Sequence, residues 1–142
     1  MDTPGTPSVN LPDIKTLESL IEKLIEANST IPVVVEGKRD RDALRMLGAQ
    51  GEIITIHSGS TLYEFSEKLI KRYPEVILLT DWDKKGELLY GKLASLLRGS
   101  YEGHEHIRKE LIRLTNSLIK EVEELPALME YLKTKYPPDT RD

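Results

Sequence analysis

Three carboxylates carry the chemistry this chain can offer: Glu36, Asp81 and Asp83. Glu36 closes the apolar run IPVVVEG at 31–37, and Asp81 and Asp83 lie in VILLTDWDKKG at 76–86. Both runs are rich in β-branched residues and stop abruptly in acid and then glycine. Hydrophobicity without alternation predicts strands buried on both faces, as in a parallel sheet. Acids at the carboxyl ends of such strands fall in the crevice where α/β folds bind their ligands. In extended backbone Asp81 and Asp83 point the same way, with Trp82 opposed. Joined by Glu36 from a neighbouring strand, they suit a hard divalent cation: Mg²⁺, with Mn²⁺ as a substitute. Glu36 either completes the ion's shell or serves as a general acid/base, its pKa raised by the other carboxylates. Such a site suits phosphoryl transfer.

The elements that must hold these acids can be read along the chain. Residues 1–12 have little to bury and predict a disordered tail, as do 137–142 after Pro137-Pro138. A single domain is expected over 13–136. It opens with an amphipathic helix at 13–28, burying Ile14, Leu17, Leu20, Ile21, Leu24 and Ile25, with Asn10 or Asp13 as N-cap. The first strand (31–36) is followed by a short helix from Lys38 to Leu47, in which Asp40 is a cap or first-turn acid and Gly48 the stop. A second strand spans 52–56, then a polar turn at 57–60. A helix over 61–73 presents Leu62, Phe65, Leu69 and Ile70. The third strand, 76–80, precedes a helix over 84–98 with Leu88, Leu89, Leu93, Leu96 and Leu97 as its stripe. A C-terminal helical extension is expected over 105–136, where 117–123 reads either as more helix or as a fourth, edge strand. The order β-α-β-α-β-α implies right-handed crossovers and a three-layer α/β/α, Rossmann-like fold with a mainly parallel sheet of about four strands.

The segments VVVEGKRDRDAL and VILLTDWDKKGELL resemble the Toprim domain, which bacterial-type primases, topoisomerases and the 5S ribosomal RNA maturase share. The similarity is to its small stand-alone archaeal members and covers about 31–98, extending toward 125. By that resemblance Glu36 is the general acid/base glutamate and Gly37 the glycine after it. Asp81 and Asp83 are the Mg²⁺-binding pair, Gly86 the glycine closing that motif, Asp40 the acid after the first strand, and Gly59 a glycine after the second. Trp82 departs from the pattern, where relatives carry a small residue or proline. It either stacks on a nucleobase or packs against the C-terminal segment. The resemblance implies Mg²⁺-dependent chemistry on nucleic acid, with a nuclease of RNA processing or degradation expected first, RNA ahead of DNA. A non-catalytic RNA-binding module docked on protein partners of an RNA-processing or translation complex is the alternative, and a primase-like nucleotidyl transferase a lesser one.

Charge and composition restrict these readings. Twenty basic against 24 acidic residues leave a net charge of −4, so polyanion binding must come from a local patch. Lys38, Arg39, Arg41 and Arg45 after Glu36, and Lys84 and Lys85 after Asp83, form that candidate patch, whereas Lys71 and Arg72 read as solvated. The chain has no cysteine, which excludes disulfides and thiolate chemistry. No apolar run reaches membrane-spanning length, and a cytoplasmic protein with no membrane partner is expected. His104 and His106 lack the partners of a zinc site. His57 reads as a turn residue, and Ser58 and Ser60 have no His–acid set to activate them. Taken alone, Asp83 can equally be the N-cap of the helix that follows.

Overall fold

The computed structural model describes residues 13–56 and 59–135; the expectations for both tails, Asn10, His57 and Ser58 lie outside them. Each of the β-branched runs forms a short strand: β1 (Val33–Val35), β2 (Ile53–Thr55) and β3 (Ile77–Leu78). They make a parallel sheet in the order β2-β1-β3, with Val33 paired to both Ile53 and Ile77. The central strand is buried on both faces, and its alternation divides the core. Val33 and Val35 face one hydrophobic cluster and Val34 the other.

The first face packs against α1 (Ile14–Asn28), α2 (Lys38–Leu47), α5 (Glu105–Thr115) and α6 (Leu125–Lys135), through Leu17, Leu24, Leu44, Leu111 and Leu132. The second face packs against α3 (Leu62–Arg72) and α4 (Lys84–Leu96), through Phe65, Leu69 and Leu93. The result is the expected three-layer α/β/α arrangement. Because β2 and β3 flank β1 on opposite sides, the chain reverses direction across the sheet. The crevice between the carboxyl ends of β1 and β3 is therefore the switch point at which open α/β sheets place ligands.

Local chemistry explains the helix boundaries. Asp13 caps α1 by accepting from the Lys15 N–H, Thr61 caps α3 through the Glu64 N–H, and α2 ends at Gly48, whose φ of 113° favours glycine. Asn28 is fully buried, donating from Nδ2 to the carbonyls of Ile31 and Glu52 and accepting from the Gly51 N–H. This ties the end of α1 to the entrances of β1 and β2. Two expected core positions face outward instead: Ile70 is 44% exposed and Leu88 66%. Helices α3 and α4 carry more apolar residues than the stripe the sheet covers.

The sheet has three strands among the described residues, not about four. The segment 117–123, read as a continued helix or an edge strand, is neither. It is a turn after α5 that leads into a single 3₁₀ turn, Val122–Glu124. Its hydrogen bonds go past the end of β3, to residues 81 and 82, so no ladder with Ile77–Leu78 forms. The Trp82 backbone N–H donates to the Lys120 carbonyl (2.8 Å) and its indole Nε1–H to that of Ile119 (2.9 Å). Trp82 thus packs in the core against the C-terminal segment and is 4% exposed, which leaves no face for a nucleobase. Trp82→Phe keeps most of the ring but strands the Ile119 carbonyl. It should lower unfolding free energy by about 1–3 kcal/mol, measured by urea denaturation. Among the described residues no helix is long and apolar enough to cross a membrane.

Candidate metal and phosphate site

Glu36 leaves the end of β1, and Asp81 follows three residues after β3. The fold brings them together: the Asp81 backbone N–H donates to Glu36 Oε2 at 2.9 Å. Asp81 is almost buried, and its Oδ1 accepts from the Val122 N–H at 2.8 Å. Asp83 is the N-cap of α4, with Oδ1 accepting from the Gly86 N–H at 2.7 Å. Each acid is thus oriented by one backbone N–H, which leaves its second oxygen with no donor among the described residues. Gly86 has a steric reason to be glycine, since a Cβ there would lie 2.2 Å from the Asp81 carbonyl oxygen. Asp40 is buried and accepts from the Gly37 N–H at 3.0 Å, closing the first turn of α2 as a capping acid.

An open cleft is lined by Glu36, Gly37, Lys38, Arg39, Asp40, Asp81, Lys85, Glu121 and Glu123, with Ile56 and Leu89 as its apolar wall. Burial, with Asp40, Glu36 and Asp83 nearby, pushes the Asp81 carboxyl up to about 7, against the lowering effect of the Val122 N–H. Asp40 is raised as well, chiefly by burial, then by Glu36 and Glu123, while its bond from Gly37 lowers it. No group of three His, Cys, Asp or Glu side chains among the described residues stands close enough to enclose an ion. The donor chemistry nonetheless fits a hard cation: crowded carboxylates with free oxygens, one raised chiefly by burial and then by its neighbours, are what a divalent ion relieves. Glu36 and Asp81 both line the cleft, whereas Asp83, the cap of α4, is not among its lining residues.

Other expected residues are distributed differently. Lys38, Arg39 and Lys85 line the cleft, whereas Lys84 is exposed outside it. Arg41 and Arg45 line a separate groove with Gln50 to Ile53. Gly59 is exposed, with open space where a side chain would go. His104 faces Glu75 at 3.2 Å, and His106 is exposed.

Three residues of the C-terminal extension belong to the site and were not expected there. Glu121 and Glu123 line the same cleft as the cations, and the acidic run that holds them reads as an ordinary solvated stretch. Glu121 is raised above the usual carboxylate range, first by a hydrogen bond with Glu123, then by burial and neighbouring acids. Arg108, 4% exposed, donates from Nε to the Thr80 carbonyl (2.9 Å) and from Nη2 to the Asp81 carbonyl (2.7 Å). It also pairs with Glu87, and its guanidinium lies 4.2 Å from the Tyr90 ring centroid. Its signal in the sequence is a cation on the same helical face as Ile107, Leu111 and Thr115.

This geometry, acids at a parallel-sheet switch point with glycine after each, defines a class. The chain belongs to the Toprim domain family, whose model matches residues 32–123. Membership points to a metal-dependent function concerned with nucleic acids. Among individual proteins it is similar to archaeal UPF0292 proteins. One from Thermococcus gammatolerans is 45% identical over 121 residues, which cover 84% of this chain and 86% of that protein. One from Thermoplasma volcanium is 40% identical over 103 residues, 72% of this chain and 86% of the relative. A solved protein from Aquifex aeolicus aligns with a TM-score of 0.63 at 28% identity, covering 76% of this chain and 96% of that one.

Proposed function

We propose that this protein is a Mg²⁺-dependent nucleic-acid phosphodiesterase, a nuclease with RNA as its first expected substrate. The observation that carries the reading is the meeting of Glu36 and Asp81, 45 residues apart in sequence, beside three cations that line the same cleft. Asp81 and Asp83 would hold the ion, which neutralises charge developing on the phosphate when bound. Glu36, which lines the cleft, is the group to move a proton between the attacking or leaving oxygen and solvent. Lys38, Arg39 and Lys85 are the cations that would grip the phosphate backbone in this cleft.

The test is cleavage of end-labelled RNA and DNA, structured and single-stranded, with Mg²⁺ or Mn²⁺ and with chelator. Wild-type protein should cleave only with metal. Glu36→Gln should lower the rate by about 10²–10⁴ while leaving oligonucleotide binding intact. Cleavage unaffected by that substitution would refute the assignment. A non-catalytic RNA-binding module, serving protein partners in RNA processing or translation, is the second reading. It draws on Asp83, whose carboxylate already serves as a helix cap. Salt-dependent binding without cleavage under any metal would favour it.

A further inference from the structure

On α2 the cations Lys38, Arg41 and Arg45 recur at i, i+3 and i+7, so they lie in one line along the helix. Lys38 is in the cleft with Glu36 and Asp81. Arg41 and Arg45 line a second groove whose floor is Gln50, Gly51 and Ile53. The line therefore runs from the carboxyl edge of the sheet, where the acids are, toward the edge at which β2 begins. None of the three forms an ion pair with an acid among the described residues, whereas Lys109 and Arg113 each pair within their own helix. The groove's one acid, Glu52, is engaged from the side by the Tyr73 hydroxyl at 3.1 Å. Arg45 spends only Nη1, on the Ala49 carbonyl, and so keeps the rest of its guanidinium fork for another acceptor.

We infer that this line is a second phosphate contact, remote from the metal site, which makes the substrate a polynucleotide strand and not a nucleotide or dinucleotide. The inference rests on the function proposed above and deepens it. Seven residues of helix span about 10 Å. That is about three nucleotides at a rise of 3.4 Å per strand residue. A strand whose scissile phosphate sits beside Glu36 and Asp81 would continue along α2 and meet Arg41 and Arg45 in turn. Arginine suits this role because its planar fork takes two oxygens of one phosphate. In a chain of net charge −4, unpaired cations in one row are the local patch that polyanion binding requires.

The test compares wild type with Arg41→Ala/Arg45→Ala and with Arg41→Lys/Arg45→Lys. Circular dichroism checks the fold of each. Fluorescence anisotropy measures binding of a labelled single strand of about twelve nucleotides, and of a dinucleotide, across a salt series. Loss of two phosphate contacts should lower the slope of log K against log salt by about 1.4 and weaken the longer strand roughly tenfold at low salt. The lysine pair should retain most of the slope. The dinucleotide affinity and the Mg²⁺-induced rise in Tm, which report the cleft, should not change. An alanine pair that binds the longer strand like wild type overturns the inference. So does a poly-glutamate chain that binds the wild type as tightly and loses affinity in the same variant, since the line would then face an acidic protein. A slope that depends on Arg41 and Arg45 in a protein with no metal-induced Tm shift upholds the strand contact and overturns the metal reading instead.

Discussion

Asp81→Asn is expected to abolish the metal response and at the same time make the metal-free protein more stable above neutral pH. The Asp81 carboxyl is raised from 3.8 to about 7 in the fold, first by burial and then by the charges of Asp40, Glu36 and Asp83. Its native pKa lies above its unfolded one, so between those values the native state holds the extra proton. Stability contributed by Asp81 is therefore complete below the unfolded value and is lost as pH rises through about 7. Asparagine keeps the acceptor for the Val122 N–H and carries no charge. Thermal melts from about pH 5 to pH 8 should show wild type falling relative to the variant. An Mg²⁺ ion bound at Asp81 would compete with the proton there, so its stabilising effect on wild type should shrink below neutral pH. In Asp81→Asn that effect should vanish, and cleavage should fall by more than about 10². A variant that still gains Tm with Mg²⁺ would place the ion elsewhere.

The second large effect is expected at Arg108. Its buried guanidinium supplies the donors for the Thr80 and Asp81 carbonyls, so it fixes the backbone from which the Asp81 side chain departs. Arg108→Met fills much of the volume but leaves two buried acceptors unsatisfied. The expected cost is about 3 kcal/mol, or about 10 °C in Tm for a chain of this length. Arg108→Lys should recover little, because a single ammonium cannot reproduce the fork that spans two carbonyls, Glu87 and the Tyr90 face. Arg108 is a positioning residue, and its signature is a rise in the metal concentration needed for half-maximal activity that exceeds any change in oligonucleotide affinity. Equal losses in both would reduce it to a structural role.

How much was legible in the chain depended on whether one stretch carried its own reason. The stripe Leu17, Leu20, Ile21 and Leu24 specifies a helix without outside help, and the acid-then-glycine endings of the two apolar runs specify buried parallel strands with a crevice above them. Asp13 and Asp40 as caps were equally local. The fate of 117–123 was not, because its partners are Trp82 and Asp81, some forty residues earlier, and nothing in its own pattern names them. Asp83 showed both readings in sequence, and in the fold one oxygen caps α4 while the other remains free. Arg41 and Arg45 looked continuous with Lys38 in sequence, yet helical rise carries them out of the acidic cleft.

The bond from Val122 to Asp81 has a consequence for how the protein is made. All three strands, the row of cations and the acids have been synthesised well before residues 119–122 leave the ribosome. Until they do, Trp82 has no acceptor for its indole and the Asp81 carboxyl has nothing to orient it. A nascent or prematurely terminated chain would therefore display the residues of the candidate site without its assembled form. Order of synthesis alone would thus keep the acids unassembled until this late turn arrives.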